Sequence, residues 1–352
     1  MTGESMTGES MTGELMQRLA QFAQAPLGQG PATPLERAAH LSADLGLDLW
    51  LKRDDVGGLG MGGNKVRQLA FYLGEALAEG ADTILITGAR QSNFMRTAAA
   101  AGARLGLRVC LQLEERVASD DALYRTGGNV FLDDLFGAER RSYPHGEDEA
   151  GADTALAGWA AEQSAAGRKP YIIPLGPGHR PLGALGYCQA AAEYLEQSRA
   201  HTVHVIASGS GASHGGLLFG LRALGCEDPV LGICVRRNAG AQIPRLFART
   251  REIGELLDME NPVHEDDIAV FDDSLAPGYG QLSQPVVAAI TAMAQREGVV
   301  LDPVYTGKVF AGLQALRRRH IIPDGERVCF WHTGGAPALF AYQTLWEEFL
   351  AR

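Results

Sequence analysis

Basic side chains are in short supply in this chain. Lysine and arginine number 31 against 42 aspartates and glutamates, a formal net charge of −11 over 352 residues. Neutralising a nucleic-acid backbone needs clustered positive charge, so this deficit argues against DNA or RNA as a partner. Cysteine is scarce as well: Cys110, Cys188, Cys226, Cys234 and Cys329 make an odd set without a CxxC pair. Neither a disulfide framework nor a cysteine zinc site fits that pattern, and a reduced, cytoplasmic protein does. The nine histidines contain no HExxH arrangement, and His201 and His204 read as strand-edge residues rather than ligands. No metal is expected. No apolar run approaches the ~20 residues of a membrane span, so no membrane partner is expected either.

What is present describes a globular chain: 46% hydrophobic residues, 44 glycines and 16 prolines. The length exceeds the ~250–300 residues at which a single core stops growing, and two domains are expected. The chain opens on three near-copies of one pentapeptide, MTGES-MTGES-MTGEL, acidic and without Lys or Arg. The unit is far shorter than the ~20–50 residues of a structural repeat. It reads as a flexible tail over 1–15, with the fold beginning near Met16.

Short apolar or β-branched runs at 83–87, 108–113, 171–174, 203–207, 230–235 and 328–332 read as buried strands. Between them lie helix signals. Val66, Leu69, Leu73 and Leu77 share one face, Leu217, Leu218, Leu221 and Leu224 nearly do, and 95–105 is rich in alanine. Such alternation predicts an α/β fold: two domains with twisted, mostly parallel sheets covered by helices. The polar stretch 142–167 reads either as a linker or as an exposed helix with loops. The Pro/Gly-rich crossing at 177–181 is the preferred boundary.

Three loops have the composition of anion sites. The first, Gly57-Gly-Leu-Gly-Met-Gly-Gly-Asn-Lys65, concentrates glycine immediately before a helix. That density is costly in backbone entropy and implies positive φ angles or close approach. Lys65 is then either a Schiff-base amine fixed at a helix start or a surface lysine beside a flexible turn. The second, Ser208-Gly-Ser-Gly-Ala-Ser213, joins a strand to a helix and offers amides, a helix dipole and hydroxyls to a phosphate. It lacks the Gly-Lys-Ser/Thr of a Walker loop, and its GxGxxxG spacing departs from the dinucleotide fingerprint. The third, Gly88-Ala-Arg-Gln-Ser-Asn93, precedes the 95–105 helix. It is either a carboxylate site or simply a capped helix start.

In chain order, Gly62-Gly-Asn-Lys-Val-Arg67, Gln91-Ser-Asn93, Ser208-Gly-Ser-Gly-Ala-Ser-His214, Asp302-Pro-Val-Tyr-Thr-Gly-Lys308 and His332-Thr-Gly-Gly-Ala-Pro-Ala338 resemble one family. It is that of D-cysteine desulfhydrase and 1-aminocyclopropane-1-carboxylate deaminase, enzymes dependent on pyridoxal 5′-phosphate, of fold type II and related to the tryptophan synthase β subunit. The resemblance spans about 35–341. It implies that Lys65 carries the cofactor as a Schiff base and takes up the Cα proton. Asn93 is implied to bond the cofactor's O3′ hydroxyl. Gln91, Ser92 and Asn93 are implied to receive the substrate carboxylate. Gly209, Ser210, Gly211, Ala212 and Ser213 are implied to hold the phosphate, with Thr333 on the same side. Tyr305 and Tyr279 match active-site tyrosines that orient Lys65 or assist the leaving group. The implied layout inserts a small domain, 63–177, into a large one formed by 16–62 with 178–352, and the family implies a homodimer.

Two positions bear on the reaction. Ring-opening deaminases of this family have Glu after the tyrosine of the Pro-Val-Tyr motif, where this chain has Thr306. Neutral Thr306 and Thr333 supply no charge to strengthen the electron sink, which favours elimination of a good β-leaving group over opening of a cyclopropane. D-cysteine is then the expected substrate, giving pyruvate, hydrogen sulfide and ammonia. Members acting on D-cysteine usually read Ser-Asn-His, and this chain reads Ser92-Asn93-Phe94. L-cysteate therefore stays open, with Arg90 and Arg96 either facing its sulfonate or facing solvent. Ring opening of aminocyclopropane carboxylate and a non-catalytic Rossmann-like nucleotide-binding protein are the remaining alternatives.

Overall fold

The computed structural model describes residues 8–28, 32–174, 176 and 179–351. Among these described residues ten strands form two sheets. They are β1 (Leu35–Arg37), β2 (Asp48–Lys52), β3 (Thr83–Ala89), β4 (Arg108–Glu114), β5 (Glu139–Tyr143), β6 (Pro170–Ile173), β7 (Val203–Ser208), β8 (Val230–Cys234), β9 (Ala269–Phe271) and β10 (Arg327–Trp331). The first sheet has the order β1-β2-β10-β7-β8-β9, parallel except for the β1 edge; the second, β5-β4-β3-β6, is parallel throughout. Every strand of the second sheet lies, in sequence, between β2 and β7.

Five of the six runs anticipated as strands are interior to these sheets, the sixth, β6, lying at an edge, and the reason is visible in β7 and β10. Val205 and Phe330 point into one buried cluster while Ile206 and Trp331 point into another, so both faces must be apolar. Of the four strands without a clear sequence signal, β1, β5 and β9 lie at sheet edges, and β2 is interior but charged at both ends. β5 reads Glu-Arg-Arg-Ser-Tyr and is largely solvated, and β1 has three residues. The ambiguous 142–167 stretch becomes the helix Glu149–Ala165, started by Asp148, whose side chain accepts from the Gly151 N–H. Leu156 and Trp159 of that helix pack under Leu85 of β3 and Cys110 of β4.

The amino-terminal region differs from the expected tail over 1–15. A helix runs from Gly8 to Leu19, and Leu15 and Leu19, four residues apart on one face, are fully buried. The last pentapeptide ends in leucine where the others end in serine, and that leucine docks. The first seven residues, like Pro177 and Gly178 of the expected boundary, lie outside the described residues.

The helix after Lys65, Asn64–Ala78, packs along the helix Leu182–Gln197. Gly186 permits it: a Cβ there would sit 2.5 Å from the Arg67 carbonyl oxygen. A buried charged cluster lies at this seam. Arg67 forms a bidentate pair with Glu193 (2.7 and 2.9 Å) and a further bond to Asp54 Oδ1 (2.9 Å). Lys52 Nζ donates to Glu193, to Gln197 Oε1 (2.8 Å) and to the Thr33 carbonyl (2.7 Å), and Tyr187 donates to Asp54 Oδ2 (2.6 Å). The cluster anchors the segment that carries Lys65. Among the described residues no helix is long and apolar enough to cross a membrane.

Candidate active site

The carboxyl ends of parallel strands from both sheets converge on one cavity, where α/β folds place ligands. β3 contributes Thr87–Ala89, β4 Glu114, β7 Ala207, and the loops beyond β7, β8 and β10 contribute Gly209, Val235 and Thr333. The cavity encloses about 1140 Å³, its open mouth included. It brings together Lys65, Ser92, Asn93, Gly209, Ser210, Gly211, Ser213, Tyr279, Tyr305 and Thr333 of the expected site residues.

Two glycine loops make this convergence possible. The Asn64 N–H donates to the Thr333 carbonyl (3.1 Å) and the Asp55 N–H to that of His332 (3.1 Å). Gly63 and Gly334 both hold positive φ, and a Cβ on Gly334 would lie 2.7 Å from Gly63 Cα. The glycine density before Lys65 is therefore a close crossing of two backbones.

Lys65 enters the cavity without a carboxylate. Its Nζ donates to Gln68 Oε1 (3.1 Å) and lies 5.0 Å from the centre of the Phe94 ring. Desolvation with no compensating charge pulls its pKa down to about 8. Gln68 is itself oriented, since its Nε2 donates to Ser213 Oγ (2.8 Å), which also accepts from Asn64 Nδ2 (2.8 Å).

Across the cavity, Gly211 takes φ +90° and caps the helix Ala212–Ala223 with no side-chain bond. The Ala212 N–H makes only a long bond to Ser210 Oγ (3.4 Å), and this helix start, with the Ser210 and Ser213 hydroxyls beside it, suits an anion. Ala212 opens the helix but lines a smaller adjoining pocket rather than the main cavity. Ser92 Oγ caps the helix Asn93–Leu105, accepting from the N–H of Phe94 (3.2 Å) and Met95 (3.4 Å). Tyr279 Oη and Tyr305 Oη are 2.7 Å apart, and burial raises both pKa values. Lys308 holds their loop by donating to the carbonyls of Leu275 and Gly278.

Several expectations require correction. Gln91 is turned away from the cavity, its amide donating to the Tyr124 and Gly127 carbonyls. Arg90 and Arg96 neither line the cavity nor face solvent. Arg90 pairs with Glu115, and Arg96 is fully buried against the Gly62 carbonyl. Thr306 is buried with its Oγ1 donating to Asp302 Oδ1 (2.7 Å), so the neutral hydroxyl at the cavity is that of Thr333. His204 lies in the core, accepting from Trp331 Nε1 (3.1 Å), and His201 pairs with Asp228 (2.6 Å).

Sequence reasoning missed an arginine wall. Arg116, Arg236 and Arg245 line the cavity, with Arg116 paired to Glu114 (2.7 Å) and Arg236 to Glu149 (2.8 Å). A signal existed: Arg116 and Arg236 each lie two residues beyond the end of a parallel strand, β4 or β8. Glu114 and Glu149 also line the cavity, so these pairs largely cancel there and place ion pairs at the wall.

The site suits pyridoxal phosphate. It has an unpaired lysine, an uncapped helix start opposite for the phosphate, and a donor-bearing asparagine between. Comparison with known proteins agrees: residues 27–334 match the family model described as pyridoxal-phosphate dependent enzyme, and the chain belongs to that family. Pyridoxal phosphate is its cofactor, and the alternative of a non-catalytic nucleotide-binding protein falls away. The chain is 42% identical over 331 residues to D-cysteine desulfhydrase of Serratia proteamaculans, covering 93% of this chain and 98% of that protein. It is 42% identical over 329 residues to the D-cysteine desulfhydrase of Yersinia enterocolitica, covering 92% and 97%. Among solved structures, an ACC deaminase homologue superposes with a TM-score of 0.85 at 35% identity, covering 96% of this chain and 99% of the other. A tomato threonine deaminase, at 17% identity and TM-score 0.64, shares the fold.

Proposed function

We propose that this chain catalyses α,β-elimination on a small β-substituted amino acid, D-cysteine, which with water yields pyruvate, hydrogen sulfide and ammonia. The observation that carries this reading is Lys65, an unpaired amine of lowered pKa facing an anion cup in a chain 42% identical to D-cysteine desulfhydrases. Bound pyridoxal phosphate supplies the electron sink for the charge that develops at the substrate Cα.

The protein's own groups do the rest. Amides at the start of the Gly211-capped helix, with Ser210 and Ser213, hold the phosphate. Asn93 donates to the cofactor's hydroxyl oxygen, and the Ser92 hydroxyl, whose oxygen already accepts from the Phe94 and Met95 amides, turns its proton to the substrate carboxylate. Lys65 Nζ, positioned by Gln68 and largely deprotonated above about pH 8, removes the Cα proton. Tyr279 and Tyr305 remain protonated near neutrality because burial disfavours the phenolates, so one of them hands a proton to the departing sulfur. Thr333, a neutral hydroxyl, matches elimination better than ring opening.

A second reading has specific support: Arg116 and Arg236 at the cavity wall favour an anionic β-substituent, as in L-cysteate. Product assays on D-cysteine, L-cysteate, β-chloroalanine and aminocyclopropane carboxylate separate the readings. For the first, pyruvate and sulfide form from D-cysteine. In Lys65→Ala both the visible absorption of bound cofactor and the rate fall, the rate by roughly 10³-fold or more. An active Lys65→Ala enzyme refutes it.

The chain also acts as a cytoplasmic homodimer, with 63–177 as a small domain inserted into 16–62 plus 178–352. Five free cysteines support the compartment. Exposed Phe131, Leu135 and Phe340, on helices that pack together, support the dimer. A monomer by sedimentation would remove it.

A further inference from the structure

Gln91, turned away from the cavity, leads to a residue outside every sequence motif. Its Nε2 donates to the carbonyls of Tyr124 (2.7 Å) and Gly127 (3.0 Å). A backbone carbonyl only accepts, so these two bonds fix which end of the Gln91 amide is nitrogen. Gln91 Oε1, thus oriented, accepts from the backbone N–H of Asn129 (2.9 Å). The Asn129 side chain returns the contact: its Nδ2 donates to the Gln91 carbonyl (2.9 Å), again an obligate acceptor, and to Asn93 Oδ1 (2.9 Å).

That last bond sets the polarity of Asn93. With Oδ1 held by Asn129, the end of Asn93 left for the cavity is Nδ2, a donor. Gln91, Asn93 and Asn129 are all buried, so water does not readily take over a lost partner. An asparagine without such a relay presents either end of its amide. Next to a cofactor oxygen that carries negative charge, one end attracts and the other repels.

We propose that Asn129 is a positioning residue: it turns Asn93 so that the bound cofactor meets a hydrogen-bond donor and not an acceptor. The proposal rests on the placement of Asn93 beside the cofactor given above, and it adds a residue that touches neither cofactor nor substrate.

The test is a double-mutant cycle on the cofactor-loaded enzyme, with Asn129→Ala, Asn93→Ala and the pair together. The readouts are the visible spectrum of the bound cofactor, the pH midpoint of that spectrum and the dissociation constant for pyridoxal phosphate. Asn129→Ala is expected to shift the spectrum and weaken binding by about tenfold, the scale of one charge-assisted hydrogen bond. In the Asn93→Ala background the same change is expected to add nothing. Additive effects overturn the proposal, as does an Asn129→Ala enzyme that loses thermal stability alone with spectrum and affinity intact. Asn129→Asp, nearly isosteric, reverses the polarity of the contact, and a thermal melt of each variant separates that effect from simple loss of folding. Its carboxylate accepts only, turns the Asn93 oxygen toward the cavity, and weakens binding more than Asn93→Ala does; a wild-type spectrum in Asn129→Asp overturns the idea. No substrate enters these measurements, so a wild-type enzyme inert toward D-cysteine would remove the elimination reading alone.

Discussion

Lys52 and Lys65 flank the same glycine-rich loop, and both are withdrawn from water, yet their surroundings are opposite. Lys52 is fully buried and wrapped by Glu193, Gln197 and the Thr33 carbonyl, with Arg67 and Asp54 completing the cluster. Burial lowers its pKa, and Glu193 pulls it back. Lys65 has an amide oxygen and an aromatic ring for company, and no opposite charge offsets its desolvation. A paired ammonium holds structure; an unpaired one gives up its proton and becomes a nucleophile and base. The fold keeps the two regions adjacent because the rigidity of the first fixes the position of the second.

The comparison breaks most visibly if the carboxylate that distinguishes the two lysines is removed. Glu193→Ala leaves Lys52 and Arg67 short of their shared counter-ion, and a loss of about 3–5 kcal/mol in urea denaturation is expected. A loss below about 1 kcal/mol would mean that the cluster behaves as a solvated surface network. The pH dependence has a definite sign. The Arg67 and Lys52 cations hold Glu193 against its desolvation, lowering its pKa from the ordinary value near 4.5 to about 2. Its stabilisation is therefore fully present above about pH 4.5 and disappears as pH falls towards 2, and Glu193→Gln should lack that component.

Lys65 supplies the next test. In cofactor-free protein, the rate of pyridoxal phosphate uptake should climb about tenfold per unit below pH 8 and level off above it, as the neutral amine accumulates. A rate still climbing near pH 10 would place Lys65 with Lys52 as a paired ammonium. The smallest effect concerns Phe94. Its ring, 5.0 Å from Nζ, favours the charged amine, so Phe94→Leu should lower the midpoint of that uptake curve by about half a unit. No shift, or an upward one, would remove the ring from the electrostatics of Lys65.

Much of the site was legible because a glycine-rich loop between strand and helix has few purposes. Lys65, Ser92, Asn93 and 209–211 with Ser213 all reach one cavity. Gln91 and Arg96 lie close to true cavity residues in sequence, but each is held by backbone carbonyls from another segment, Gln91 by Tyr124 and Gly127 and Arg96 by Gly62. Thr306 is adjacent to Tyr305, yet its hydroxyl is consumed by Asp302. Proximity in sequence is a poor guide here, because the hydrogen-bond partner that each side chain finds, and not its spacing along the chain, decides which of them faces the ligand. The strands that escaped notice, β1, β2, β5 and β9, are short or polar, and their identity depends on the neighbours they pair with.

The sequence by itself determined the parallel α/β architecture, because strands buried on both faces must be continuously apolar, and it determined the cofactor class, because five ordered motifs leave little choice. It also marked Lys65. Tertiary structure alone decided that Lys52 is paired while Lys65 has only the nearby Gln68 amide, since Glu193 and Gln197 reach Lys52 from more than a hundred residues away. It alone gathered Arg116, Arg236 and Arg245 at one wall. It alone set Asn93 through Asn129, because the orientation of a buried amide follows from carbonyls fixed by the backbone around it.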